Sequence, residues 1–242
     1  MTNVEKLQEL IDSSERIVFF GGAGVSTESG IKDFRSVDGL YAQKYKYPPE
    51  AILHSNFFWS KTAEFYDFYK EKMICENVFP NAAHLKLAEL EKAGRLSCIV
   101  TQNIDGLHTV AGSENVYELH GSIHRNRCTQ CGSFYPLSHI KNAKKIPMCT
   151  CGGIVKPNVV LYGEQLDNAQ LNGAIKAISE SDLLIVGGTS LTVYPAAGLL
   201  SYYCGKELVL INRDATPYDS EATLIIREPI AKTFEMIRVN PI

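Results

Sequence analysis

Ile17-Val-Phe-Phe-Gly-Gly-Ala-Gly24 is the stretch on which the fold reading turns. Four apolar residues run straight into a glycine-rich turn, the pattern of a short buried strand that ends abruptly. Without side chains at Gly22 and Gly24 the backbone can turn tightly and approach a pyrophosphate, which would lie over the N-terminus of a following helix. Gly-x-Gly alone also fits an ordinary strand-to-helix turn. The third glycine of the dinucleotide fingerprint is replaced here by Thr27.

Working outward, similar apolar runs recur at 96–101, 116–119, 183–186, 208–211 and 224–226. Helix-period stretches lie among them: 3–14 with Val4, Leu7, Leu10 and Ile11, 82–92 with Leu85, Leu87 and Leu90, and 167–179 with Leu171, Ala174, Ile175 and Ile178. Continuous apolar strands alternating with helices predict a parallel sheet covered on both faces. Two stretches break the alternation, an aromatic-rich one at 34–80 and a cysteine-bearing one at 122–157. The expectation is an α/β chain: a Rossmann-like parallel sheet domain (1–33, 81–121 and 158–242) with a smaller module inserted. That module combines a helical insert with the cofactor loop (34–80) and a zinc-ribbon insert (122–157).

At 242 residues the chain has room for one large domain and a small insert. With 24 basic against 27 acidic residues, the net charge of −3 supplies no excess of cations to displace counterions from a nucleic acid. Direct nucleic-acid binding is disfavoured, and the basic run Lys141 to Lys145 is read as a solvated face. The first residues lack a basic start followed by an apolar run, and no stretch approaches 18 uninterrupted apolar residues. A cytoplasmic chain without a membrane segment is expected.

Four of the seven cysteines crowd between 128 and 151, as Cys128-x-x-Cys131 and Cys149-x-Cys151. Two such pairs supply the tetrahedral thiolate set that zinc prefers, although the second pair is one residue closer than the usual ribbon spacing. Four thiolates leave no open position for a reacting water, so the zinc is expected to be structural. Buried free cysteines are the alternative, which polar Thr129, Gln130 and Thr150 and the nearby glycines disfavour. Cys75, Cys98 and Cys204 are expected in the core.

The glycine turn continues as Val25-Ser-Thr-Glu-Ser-Gly30-Ile-Lys-Asp-Phe-Arg35, small polar residues leading to an aromatic and an arginine. Further on come Thr101-Gln-Asn-Ile-Asp-Gly-Leu-His108, Glu118-Leu-His-Gly121, Pro157-Asn-Val-Val-Leu-Tyr-Gly-Glu164 and Gly187-Gly-Thr-Ser-Leu-Thr-Val-Tyr-Pro-Ala-Ala197. Together with the four cysteines, these motifs resemble, in order and over most of the chain, the sirtuins, NAD-dependent protein deacylases. By position alone His120, at a strand end, is more often structural than catalytic, and Asn-x-Asp-Gly at 103–106 also makes a good turn.

The resemblance implies that NAD, consumed as co-substrate, is held by Ala23, Thr27, Phe34, Arg35, Gln102, Ile104, Thr189, Ser190, Asn212 and Ile230. Asn103, Ile104 and Asp105 would hold the nicotinamide carboxamide. The acyl-lysine oxygen would then displace nicotinamide, and His120 would deprotonate a ribose hydroxyl, yielding lysine, nicotinamide and O-acyl-ADP-ribose. A neutral imidazole suits that task at neutral pH. Catalytic roles are therefore expected for His120, Asn103 and Asp105, and metal ligation for Cys128, Cys131, Cys149 and Cys151. The acyl-lysine protein or peptide is expected as an added strand between Gly163-Glu164 and Leu191 to Tyr194.

Two departures stand out. Lys32 replaces the proline usual in the cofactor loop, which implies a looser loop. Where members that remove acidic acyl groups carry Tyr-x-x-Arg, this chain has Tyr66-x-x-Tyr69, which favours neutral groups such as acetyl. An aromatic helix face is the simpler account of that pair. Three rival activities remain. ADP-ribosyl transfer is disfavoured because members specialised for it tend to lose the histidine. A Rossmann dehydrogenase leaves the segment Gln102 to His108 without a role. A non-catalytic zinc-ribbon module is disfavoured by the overall charge.

Overall fold

The computed structural model describes residues 1–37, 39–75 and 77–240. Helix α1 (Asn3–Ser13) opens on a reciprocal cap, in which the Thr2 hydroxyl accepts from the Glu5 N–H and the Glu5 carboxylate accepts from the Thr2 N–H. Strand β1 (Ile17–Gly21) follows and is buried at every residue, as a strand covered on both faces must be.

Four short segments come next, α2 (Pro49–Ile52), α3 (Ser55–Ser60), α4 (Thr62–Phe68) and α5 (Ala82–Lys92). They precede β2 (Leu96–Thr101), α6 (Leu107–Val110) and β3 (Val116–Glu118). The chain then forms β4 (Gly121–Cys128), β5 (Phe134–Tyr135), α7 (Leu137–Asn142) and β6 (Val155–Val159). It closes with α8 (Asn168–Glu180), β7 (Leu183–Gly187), β8 (Glu207–Ile211), β9 (Leu224–Ile226) and α9 (Ile230–Glu235).

Six strands form one sheet in the order β3-β2-β1-β7-β8-β9, all neighbours parallel. Alternate residues of each strand face opposite layers. Phe19, Ile99, Ile185 and Val209 join the core beneath α1, α5 and α9, while Phe20, Val100, Val186 and Leu210 face α8. The strand order reverses between β1 and β7, and open α/β sheets hold ligands in the crevice beyond the carboxyl ends at that point.

A second sheet, β5-β4-β6, is antiparallel. A third core joins its Ile123, Val155 and Val159 to Phe58, Phe65, Tyr66 and Tyr69 of the helical segment. Its strands begin at Gly121 and end at Val159, so the expected cuts at 121/122 and 157/158 fall just inside β4 and β6. Tyr66 donates to the Val155 carbonyl, and the Lys70 ammonium reaches the carbonyls of Ala143 and Lys145. These contacts fasten the helices to the cysteine-bearing strands.

Three expectations need correction. No α-helix follows the glycine turn. Single 3-10 turns at Ala23–Val25 and Thr27–Ser29 take its place, because small hydroxyl residues bond locally and Gly30 turns left-handed at φ 90°. Leu85 faces solvent and His84 takes its place inside α5, since a helix that packs on two neighbours buries a different stripe from the one its leucines suggest. Of the three remaining cysteines only Cys98 is in the core; Cys75 is half-buried and Cys204 exposed.

Candidate active site

At the reversal point two glycine loops interlock. Gly22 N–H donates to the Gly187 carbonyl at 3.2 Å and Gly24 N–H to the Gly188 carbonyl at 2.7 Å. A Cβ on Gly24 would sit 2.7 Å from the Gly188 Cα, and one on Gly188, at φ 59°, would sit 2.6 Å from the Gly24 carbonyl carbon. The glycines are thus required first for the loops to approach each other, not only a phosphate.

Beyond these loops opens a cavity of about 630 Å³, within the usual size range of cofactor sites. Every residue expected to touch cofactor lines it: Ala23, Thr27, Phe34, Arg35, Gln102, Asn103, Ile104, Asp105, His120, Thr189, Ser190, Asn212 and Ile230. The cavity therefore draws on β1, β2, β3, β7 and β8 at their carboxyl ends. Its polar groups fit a dinucleotide's needs, with backbone turns and hydroxyls at the crevice and amide, carboxylate and imidazole groups to one side. Lys32, exposed, also lines it.

His120 follows β3. Its Nδ1 lies 3.0 Å from the Gln102 carbonyl oxygen, which can only accept, so Nδ1 carries the proton and Nε2 keeps its lone pair. Burial lowers the His120 pKa below the ordinary 6.5, opposed by that carbonyl. The ring is therefore neutral at pH 7 and already in the tautomer a base requires. Gln102 is itself fixed by its N–H to Gly21 and by Nε2 donating to the Thr189 hydroxyl at 3.0 Å.

Asn103 and Asp105 meet at Ser26. Asn103 Nδ2 donates to Ser26 Oγ at 3.0 Å, and Ser26 Oγ donates to Asp105 Oδ2 at 2.7 Å. Asp105 Oδ1 accepts the Leu107 N–H at 2.9 Å, holding the turn that Gly106 makes at φ 76°. His124 Nε2 lies 2.9 Å from the Asp105 carbonyl. Asn81, capping α5, donates to the Val25 carbonyl and to Ser29, tying the helix to the cofactor loop.

Ser26, His84 and His124 carried no role in the sequence reading. His84 and His124 sit in no local pattern that would have marked them, and Ser26 was visible only as part of its motif. Tyr41 and Tyr162 were missed as well; their hydroxyls are 2.8 Å apart, joining the cofactor loop to the segment before Glu164. Neither Tyr66 nor Tyr69 lines the cavity, and both are fully buried in the small module. They form an aromatic helix face, not an acyl-binding pair.

The expected peptide segments flank the cavity, with Tyr162, Gly163, Glu164, Val193 and Tyr194 on its wall. Tyr162 is already paired on one side, donating to Leu53 O and accepting from Ser55 N–H. Among the described residues, the backbone N–H and C=O of Gly163 have no partner. Glu164 Oε2 accepts from the Leu161 N–H at 2.9 Å and from Lys156 Nζ at 3.0 Å, which shapes this loop.

The four cysteines gather as expected, all Sγ atoms within 4.8 Å of one another. Pairs lie at 3.4 Å (Cys128 and Cys151) and 3.5 Å (Cys131 with Cys149 and with Cys151), near the roughly 3.8 Å edge of a tetrahedron with zinc–sulfur bonds of about 2.3 Å. Backbone N–H groups of Gln130 and Cys131 point at Cys128 Sγ. The Cys151 N–H and then the Tyr135 hydroxyl pull the Cys149 thiol down to about 5. This donor set fits a thiolate-bound zinc.

Comparison with known proteins agrees. A deacetylase of Clostridium acetobutylicum, named as an NAD-dependent protein deacetylase, is 56% identical and covers 98% of each chain. One of Staphylococcus aureus with the same name is 41% identical over 97% of this chain and 98% of its own. A solved Sir2 structure bound to acetylated peptide superposes with a TM-score of 0.86 at 36% identity, covering 97% of this chain and 96% of that one. Another, holding a peptide and NAD+, gives 0.84 at 37% identity over 97% and 96%. No helix among the described residues is long and apolar enough to cross a membrane. Because residues 22–195 match the Sir2 family model and these relatives align along nearly its whole length, the chain belongs to the Sir2 family.

Proposed function

We propose that this protein is an NAD-dependent protein lysine deacetylase, converting acyl-lysine, NAD and water to lysine, nicotinamide and O-acyl-ADP-ribose. The observation that carries this reading is the contact of His120 Nδ1 with the Gln102 carbonyl. It leaves a neutral Nε2 in a large cavity, ready to take a proton from a hydroxyl.

In this reading the crevice between β1 and β7 receives the dinucleotide. Ala23, Thr27, Phe34 and Arg35 hold its central part and Thr189, Ser190, Asn212 and Ile230 the adenosine half. Gln102, Asn103, Ile104 and Asp105 orient the nicotinamide half. NAD, when bound, would supply both the ribose carbon that loses nicotinamide to the acyl-lysine oxygen and the ribose hydroxyl that receives the acyl group. Phe34, Ile104, Ile123 and Leu161 exclude bulk water from the cavity wall. His120 accepts the ribose hydroxyl proton at Nε2 while Nδ1 stays bonded to Gln102.

The acylated peptide adds as a strand at Gly163, whose unpaired backbone groups favour recognition by main-chain hydrogen bonds. The zinc held by Cys128, Cys131, Cys149 and Cys151 is structural. The chain divides into an NAD-binding domain (1–33, 81–121, 158–242) with inserts at 34–80 and 122–157, of which residues 38, 76, 241 and 242 lie outside those described. A cytoplasmic location and a peptide in place of nucleic acid accord with the net charge of −3 and with the bacterial relatives.

The test is incubation with acetylated peptide and NAD, following nicotinamide release and deacetylation together. Coupled formation of both is expected. Turnover without NAD, or no turnover with it, would overturn the proposal.

A further inference from the structure

Behind the reacting centre lies a buried pair that the reaction as described does not use. His84 and His108 are fully or nearly fully buried, their rings 4.7 Å apart, with Phe19 against His108. His84 touches the site through one bond only, its Nε2 lying 3.4 Å from Ser26 Oγ.

The proton positions in this chain of contacts can be assigned by elimination. The Asn81 backbone N–H points at His84 Nδ1 at 3.2 Å and can only donate, so Nδ1 is the acceptor. His84 in its neutral form therefore carries its proton on Nε2. Asp105 Oδ2, part of a carboxylate, can only accept, so the one hydroxyl proton of Ser26 goes to it. Ser26 Oγ must then accept from its other two partners. His84 Nε2–H is one of them, and the Asn103 amide the other, through its NH₂ group. The Asn103 carbonyl oxygen is left for the cavity.

We infer that His84 is a positioning residue: by donating to Ser26 it leaves the Ser26 hydroxyl proton for Asp105 Oδ2 and so holds that carboxylate at the nicotinamide half of the cavity. Were His84 to carry its proton on Nδ1, Ser26 would have to donate to His84 and Asp105 Oδ2 would lose its donor, while Asn103 would still donate its NH₂ group to Ser26. The groups facing His84 are Asp105, Ser26, Asn81 and the neutral His108. Burial keeps His84 uncharged near neutrality, lowering its pKa to about 4. His108, with neither ring nitrogen bonded, offers no competing donor or acceptor.

The kinetic consequence rests on the deacetylase reading, whereas the tautomer does not. Two near-isosteric replacements separate a positioning role from capping of α5. His84→Gln places an amide donor near the Nε2 position and keeps the bond to Ser26. His84→Asn places an acceptor near the Nδ1 position and keeps the cap on Asn81 but loses Ser26. The expected result is that Gln retains kcat within about twofold. Asn should lower kcat on the order of tenfold, the worth of one buried hydrogen bond, with peptide KM unchanged.

The reverse order, or parental kcat in both, would overturn the inference. If both variants lose activity, the Ser26→Ala background decides: no further loss on adding His84→Asn supports it, and an additive loss overturns it. Nitrogen-15 NMR of the histidine rings reads the tautomer whatever the activity. A protonated Nδ1 at His84 would overturn the assignment even in an active enzyme. Absent turnover with the expected tautomer would fault the deacetylase reading alone.

Discussion

Nδ1 of His120 lies 3.0 Å from the carbonyl oxygen of Gln102, directly before Asn103 and three residues before Asp105 on the same wall. A neutral imidazole acts as base, and burial lowers its pKa below 6.5. The rate should therefore be constant near neutrality and fall only as the ring gains a proton. The acid limb of kcat/KM is expected below pH 6.5, and a midpoint above it would contradict the burial argument. His120→Ala should lower kcat/KM by about 10²- to 10⁴-fold, the usual contribution of a general base, with the thermal melting point little changed.

Gly188 sits at φ 59° against the loop after β1. Gly188→Ala would force a left-handed alanine into the Gly24 and Val25 backbone, with a strain of about 1–3 kcal/mol. Moving that loop displaces Ala23 and Thr27 together. The expected result is a rise of roughly tenfold in the NAD KM and a smaller change in the peptide KM, measured by varying each substrate in turn.

Lys156 and Glu164 form a pair that leaves 19% and 28% of their side chains exposed, so its direct worth is about 1 kcal/mol or less. Its larger effect is geometric, because Glu164 also holds the Leu161 N–H beside Gly163. Glu164→Gln should raise peptide KM by roughly threefold to tenfold and leave NAD KM unchanged. Equal changes in both constants would show that the loop does not act on peptide alone.

Removing zinc should undo more than its own strands. Structural zinc contributes on the order of 10 kcal/mol to such units. Tyr66 and Lys70 bond to Val155, Ala143 and Lys145, so loosening the cysteine strands also frees the helices beside the cofactor loop. A chelator is expected to abolish activity and open new proteolytic sites between 121 and 159, both reversed by zinc. Full activity without metal, with the same digestion pattern, would refute a structural role.

His84 titrates near 4 folded and near 6.5 unfolded, because burial opposes its charge. Between those values the unfolded chain binds the extra proton, so stability rises with pH through this window and is lost as pH falls from 6.5 toward 4. The loss from His84 is about 3 kcal/mol, and His108, also lowered by burial, adds in the same direction. Urea melts of the parent and of His84→Gln should converge on acidification, the parent falling more steeply. Parallel curves would show that His84 is not the group responsible.

Local rules made much of this legible in the sequence. Strands at Ile17–Gly21, Leu96–Thr101 and Leu224–Ile226 were readable because burial on both faces demands continuous apolar runs. Cys128, Cys131, Cys149 and Cys151 were readable because tight turns bring close-spaced thiolates together. His120 was a candidate by its place at a strand end. Its partner, the Gln102 carbonyl, was not legible, since a backbone oxygen has no sequence identity.

Tertiary structure decided the rest, where the contacts join distant parts of the chain. Ser26 meets His84 and Asp105 at separations of 58 and 79 residues, and Tyr41 meets Tyr162 at 121. Such pairings depend on how helices and loops stack on the sheet, and no period or spacing records that. The glycines show the division well. Sequence marked Gly22 and Gly24 as a tight turn, but only the packed fold revealed Gly188 as the neighbour that leaves no room for a side chain.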